Sequence, residues 1–133
     1  MNYVFDHIQA ISKLLQARKK VILLTDFDGT LTDIRERPDL AVLSEDARQI
    51  LLKIARDKSF FLGIITGRSL RQIKKLVNIP GILYAANHGI ELDGPGIHFS
   101  SSEAKKARCN LWNVYMQLFT SLRHIEGVYL EDK

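Results

Sequence analysis

Asp26 and Asp28 stand two residues apart in VILLTDFDGTLTDI, directly after a short apolar run and just before a glycine. Two carboxylates at such a place can divide the work of phosphate-ester hydrolysis. One attacks phosphorus and forms an aspartyl phosphate; the other protonates the leaving oxygen and later deprotonates water. Residues two apart in extended backbone project to one side, so both carboxylates lean together if the strand persists past Asp26. Gly29 then permits the sharp turn that leaves them exposed. An anionic phosphate repels an attacking carboxylate, and a hard cation with oxygen ligands, such as Mg²⁺, is what brings them together.

A second set follows in FFLGIITGRS. Thr66 and Gly67 can offer a hydroxyl and a closely approaching backbone N–H to a phosphoryl oxygen, and the N-terminus of a helix capped by Ser69 adds a favourable dipole. Arg68 can pair with an anion. Asn87 and His88 end the next apolar run; His88 is readable either as a base or as a hydrogen-bonded structural histidine. Each piece alone has a plainer reading. Asp-x-Asp-Gly-Thr suits an ordinary loop or a calcium-binding segment, although no further acids follow at calcium-loop spacing. Thr66-Gly67-Arg68 suits a strand-to-helix turn, and Asp33 and Asp93 read as surface turn residues.

The elements that must position these groups are legible from the hydrophobic period. Val4, Phe5, Ile8, Ile11, Leu14 and Leu15 recur at helical spacing, so the first eighteen or so residues predict an amphipathic helix. VILLT, FFLGIIT and ILYAA are short continuous apolar runs, the signature of parallel strands buried on both faces. Between them lie helices: one capped by Ser44 with Ala47, Ile50, Leu51 and Ile54 on its stripe, and one capped by Ser69 that runs to Val77 before Pro80-Gly81. Strands alternating with helices predict an α/β fold, a Rossmann-like doubly wound parallel sheet with right-handed crossovers. In such a sheet ligands bind at the carboxyl ends of the strands. Asp26, Asp28, Thr66, Asn87 and His88 all fall there, so one geometric rule gathers them into one site.

After Ala86 the texture changes. NHGIELDGPGIHF predicts a β-hairpin or a domain crossing, Ser101 or Ser102 opens a long helix, and GVYLEDK reads as one more strand. The expected division is residues 1–96 for the first part of a catalytic core and residues 97–133 for the beginning of a second domain.

Composition narrows the function classes. The chain has 133 residues, 46% hydrophobic and 26% charged, with a formal net charge of +4, as expected for one folded, soluble domain. The basic residues, Arg35 to Arg37 among them, are scattered and read as solvated faces. No nucleic-acid-binding module accompanies them, so a mild attraction for anionic substrates is their expected effect. Cys109 is the only cysteine, which excludes an intramolecular disulfide and a cysteine-based zinc site. The N-terminal stretch lacks a signal peptide's apolar region, and no apolar run approaches the about 18 residues of a membrane span. A cytoplasmic protein without membrane or nucleic-acid partners is expected.

An apolar strand followed by DFDGTLT, with IITGRS further on, resembles the first two motifs of the haloacid dehalogenase superfamily of phosphotransferases. Within it, TDIRERPDLA, ITGRS, YAANHGIEL and GVYLEDK look like trehalose-6-phosphate phosphatases. The resemblance implies that Asp26 is the nucleophile and a Mg²⁺ ligand, and that Asp28 is the general acid and base and ligates Mg²⁺ through its backbone carbonyl. It implies that Thr66, Gly67 and Arg68 hold the phosphoryl group, that Asn87, His88 and Gly89 line the entrance, and that Glu131 and Lys133 contact the sugar from a cap domain. A sugar phosphate is the implied substrate, and a trehalose-6-phosphate synthase the implied partner. Another hexose- or sucrose-phosphate phosphatase, or a non-catalytic binding module, are the competing expectations. Relatives carry a later phosphate-binding lysine and an acidic motif that completes the metal site. Without them the chain is expected to be an N-terminal fragment or truncated product, weakly active or inactive alone.

Overall fold

The computed structural model describes residues 3–128 and 130, with residues 105 and 108–110 described by their backbone only. Three strands, β1 (Val21–Asp26), β2 (Phe60–Ile65) and β3 (Leu83–Ala86), run parallel. β4 (Glu91–Gly94) and β5 (Ile97–Ser100) continue the sheet antiparallel, in the order β1-β2-β3-β4-β5. The predicted hairpin is therefore real, and residues 97–100 form the last strand of this same sheet. The chain is α/β, with a mixed sheet dominated by its parallel half.

Helix α2 (Glu45–Arg56) links β1 to β2, and α3 (Leu70–Val77) links β2 to β3. Each crossover steps one strand in the same direction, so crossovers of one hand put both helices on one face. Register identifies that face: Thr25 pairs with Ile64 and Ile64 with Tyr84, so Leu23, Leu62, Ile64, Tyr84 and Ala86 share it. They pack with Leu51 of α2 and Ile73 and Val77 of α3 into the core. Burying a side chain such as Ile73 or Ile64 stabilises the fold by about 1.5–3 kcal/mol.

The opposite face differs from what the apolar runs predict. β1 alternates in burial, and Ile22, on the face away from α2 and α3, is 70% exposed. A run such as VILLT does not itself say which face finds a partner, and the described helices leave this one uncovered at β1.

The caps follow the local chemistry. Ser44 Oγ accepts from Ala47 N at 3.2 Å, and Ser69 closes a capping box with Gln72. At its other end α3 stops at Asn78 in the left-handed region (φ 50°), before Pro80-Gly81 is reached. Arg48 of α2 reaches over to donate to the carbonyls of Leu76, at 3.0 Å, and Val77, satisfying orphan acceptors of that terminus. The N-terminal segment is a 3₁₀ turn (Val4–His7) leading into α1 (Ile8–Gln16), and Ser101 caps a long helix, α4 (Ser102–Leu122). The apolar side chains Phe5 and Leu14 of the first and Leu111 and Trp112 of the second are exposed. No described helix is long and apolar enough to cross a membrane.

Candidate active site

β1 delivers Asp26 at its carboxyl end, and the in-out alternation continues one step beyond it: Asp26 exposed, Phe27 fully buried, Asp28 exposed. That alternation puts both carboxylates outside the core on either side of one buried ring. The turn beyond is closed by the Phe27 carbonyl, which accepts from Leu31 N at 3.0 Å, Thr32 N at 3.1 Å and Thr32 Oγ1 at 3.2 Å. Gly29 sits at φ +84°, a conformation a side chain strains, and its N–H donates to Thr32 O at 2.8 Å. Among the described residues nothing donates to the Asp28 carbonyl oxygen, and no side chain is bonded to the Asp26 carboxylate.

The ends of β2 and β3 are laced together. Thr66 N donates to Ala85 O at 2.9 Å, Asn87 N to Arg68 O at 2.8 Å and His88 N to Thr66 O at 3.1 Å. Thr66 is buried, and its hydroxyl accepts from Arg68 N at 3.2 Å, which leaves the hydroxyl proton to give. Asn87 (φ 48°), His88 (φ 57°) and Gly89 (φ 90°) are all left-handed. Outside glycine such backbone costs of order 1–3 kcal/mol and persists where its surroundings impose it. Here the surroundings are the two bonds to the Thr66–Arg68 turn and a third from Asn87 Nδ2 to Glu91 Oε2 at 2.6 Å. Asn87 Oδ1 is buried and has no donor among the described residues.

Arg68 finds an anion within the chain. Its guanidinium, expected to meet a phosphate, makes a two-pronged bond to Asp28, Nε to Oδ2 at 2.8 Å and Nη2 to Oδ1 at 2.5 Å. It lies over the Phe27 ring, 5.3 Å from its centroid. This pair joins the first motif to the second. A cleft of about 270 Å³ opens beside it, lined by Asp28, Gly67 and Arg68 together with Ile34, Pro38, Ala41, Arg35 and Arg37. The last two are solvated, as read from sequence, and bond Asp33 at 3.1 Å and Asp39 at 2.9 Å. Asp26, Thr66, Asn87 and His88 stand at the neighbouring strand ends without lining it.

A larger cleft, about 520 Å³, lies at the opposite end of the sheet, where β3 begins and β4 ends, and holds none of these groups. Asp93 is on its wall. It reads as a turn residue in the sequence, but it belongs to β4, where Lys74 and His98 both bond it. The Lys74 ammonium first and His98 second hold its carboxyl below the usual carboxylate range.

Sequence reasoning missed two supporting residues, Phe27 beneath Arg68 and Glu91 beside Asn87. The first had a signal, an aromatic between two candidate catalytic acids; the second had only its spacing four residues after Asn87. Glu131 and Lys133, with most of the expected GVYLEDK strand, lie outside the described residues. No group of three or more His, Cys, Asp or Glu among the described residues is gathered as a metal cage. Mg²⁺ does not need one: it binds through one or two carboxylates or carbonyls and keeps its waters or takes phosphate oxygens. The Asp26 carboxylate and the unbonded Asp28 carbonyl fit that donor set.

A parallel α/β core of this kind recurs among solved structures described as haloacid dehalogenase-like. A solved haloacid dehalogenase-like hydrolase from B. subtilis shares the fold, with TM-score 0.50 over 75% of this chain and 33% of that one at 18% identity. Within that class the trehalose-phosphatase profile matches residues 24–133, and the chain belongs to the trehalose-phosphatase family. It is 36% identical over 136 residues to the trehalose-phosphate phosphatase of Mycobacterium tuberculosis, covering 100% of this chain and 34% of that protein. The structure of Aspergillus fumigatus trehalose-6-phosphate phosphatase superposes with TM-score 0.62 at 25% identity, over 91% of this chain and 45% of that one. The chain thus spans about a third of the bacterial relative and under half of the fungal one.

Proposed function

We propose that the protein hydrolyses trehalose 6-phosphate to trehalose and phosphate through an aspartyl phosphate. The observation that carries this reading is the Arg68–Asp28 bond, which brings the strand end bearing Asp26 and Asp28 against the Thr66-Gly67 turn. Membership of the trehalose-phosphatase family supports the choice of substrate over other hexose or sucrose phosphates and over a non-catalytic module.

Asp26, exposed and unpaired among the described residues, attacks phosphorus. Asp28 gives a proton to the departing sugar oxygen as the ester P–O bond breaks. Asp28 then takes a proton from water, whose oxygen attacks the aspartyl phosphate, releasing phosphate and restoring the Asp26 carboxylate. The Thr66 hydroxyl and the Gly67 N–H donate to the phosphoryl oxygens, with the capped N-terminus of α3 behind them. Asn87, His88 and Gly89 line the approach, Arg35 and Arg37 draw the anionic ester in, and Glu131 and Lys133 contact the sugar from a cap that begins beyond β5. Asp26 and the Asp28 carbonyl hold Mg²⁺, which when bound offsets the repulsion between carboxylate and phosphate. A cytoplasmic setting and a trehalose-6-phosphate synthase supplying the substrate complete the reading.

Asp26→Asn in the full gene product tests it. Phosphate release from trehalose 6-phosphate should fall by about 10³-fold or more, as expected when a nucleophile is removed. Turnover at the normal rate would remove Asp26 as nucleophile. Chelation should silence the unmodified protein and Mg²⁺ should restore it.

A further inference from the structure

We propose that Arg68 is a positioning residue for Asp28 rather than a ligand of the phosphoryl group; the assignment rests on the phosphatase reading above. Its side chain is 7% exposed and its partner's 43%. The two halves of the pair are therefore unequal in freedom. The guanidinium lies over the fully buried Phe27 ring, and the backbone it extends from is held by two bonds, Arg68 N–H to Thr66 Oγ1 and Asn87 N to the Arg68 carbonyl. The two N–H groups that face Asp28 are committed to its carboxylate. Asp28, on the turn beside Gly29, is the half that can turn.

A carboxylate held on both oxygens by a planar fork is fixed in direction as well as in place, because the two N–H···O bonds define a plane. As an acid and base, Asp28 must carry a proton on one oxygen. A syn proton on that oxygen would point at an Arg68 N–H, and guanidinium only donates. Arg68 therefore holds the resting direction of Asp28, and each proton transfer requires one prong to open while the other keeps the carboxylate aimed. A lysine preserves the charge without the fork, which separates this role from simple attraction of phosphate.

Two measurements decide the matter. Steady-state turnover of trehalose 6-phosphate by the full gene product is compared with that of Arg68→Lys and Arg68→Gln. Positioning predicts kcat lower by about 10- to 100-fold in both variants, the penalty of a misplaced catalytic group, with KM within about twofold and little rescue by lysine. A raised KM that lysine restores would overturn the proposal in favour of phosphate binding. The second measurement needs neither turnover nor a variant at Arg68. The Arg68 Nε–H resonance should shift in Asp28→Asn, a change at an exposed turn, and hold its position when inorganic phosphate is added to the unmodified protein. Movement with phosphate and indifference to Asp28→Asn would overturn the proposal. Absence of turnover in the unmodified protein would count against the phosphatase reading, whereas the resonance tests Arg68 alone.

Discussion

The imidazole of His88 lies directly over the α-carbon of Gly67: a β-carbon there would sit 2.5 Å from His88 Cε1 and 2.7 Å from Nε2. Glycine at this turn thus admits a neighbouring ring. Those atoms are the outer end of an exposed side chain, so Gly67→Ala should push the ring aside rather than unfold the turn. Thermal unfolding should change by only about 0.5 kcal/mol, because the exposed ring can yield. The ring's displacement should instead appear as a changed His88 imidazole resonance and, with His88 lining the approach, as a raised KM. A loss of several kcal/mol with the ring unmoved would refute this account.

Tyr84 is buried, and its hydroxyl both donates to Ile79 O at 2.8 Å and accepts from Ile79 N at 3.1 Å. Tyr84→Phe strands a donor and an acceptor in the core and should cost about 1–3 kcal/mol in chemical denaturation. Burial pushes the phenol's pKa up, against an opposing effect of the Ile79 bond. A raised folded value means the stabilisation is complete below the unfolded value of about 10 and is lost as pH rises above it. The gap between wild type and variant should therefore narrow in alkali.

Asp93 responds to acid. Its carboxyl is held low by Lys74 and then by His98, so its stabilisation is present above the unfolded value of about 3.9 and is lost as pH falls through the lower folded value. Both partners are partly solvated, at 44% and 24%, which limits Asp93→Asn at neutral pH to about 0.5–1 kcal/mol. Unfolding midpoints of the two proteins should converge below about pH 4 and in high salt.

How much of this was legible follows from which interactions are local. Asp26, Thr66 and Asn87 could be gathered without coordinates, because each ends an apolar run and parallel strands present their carboxyl ends to one edge. Ser44 and Ser69 could be read as caps, and the third narrowed to Ser101 or Ser102, because a cap bonds only a few residues ahead. Arg68 could not be assigned to Asp28, since the pair spans 40 positions and depends on the turn at Gly29. Nor could Ile22 be recognised as exposed: a continuous apolar run fits a strand covered twice, and whether a helix lies on the second face is a property of topology. The Arg48 clamp on the end of α3 was hidden for the same reason.

Asn87 offers the sharpest electrostatic test. Its amide donates to Glu91 Oε2 at 2.6 Å while its own oxygen is buried without a donor among the described residues. Asn87→Asp keeps the shape and a residue type that tolerates left-handed backbone, but replaces the donor with a second anion against Glu91. Facing carboxylates repel, and the lost bond adds to the cost, so the variant should be about 1–3 kcal/mol less stable at pH 7. The facing pair favours holding a proton that the unfolded chain gives up. Stability should therefore recover as pH falls through the pair's raised folded value and be restored near the unfolded carboxylate values of about 4, opposite in direction to Asp93. Adding Glu91→Gln supplies an amide donor to the new aspartate and should restore most of the loss at neutral pH. Urea unfolding at pH 7 and pH 4 reads both effects, and an Asn87→Asp protein as stable as wild type at pH 7 would mean that Glu91 does not hold this loop.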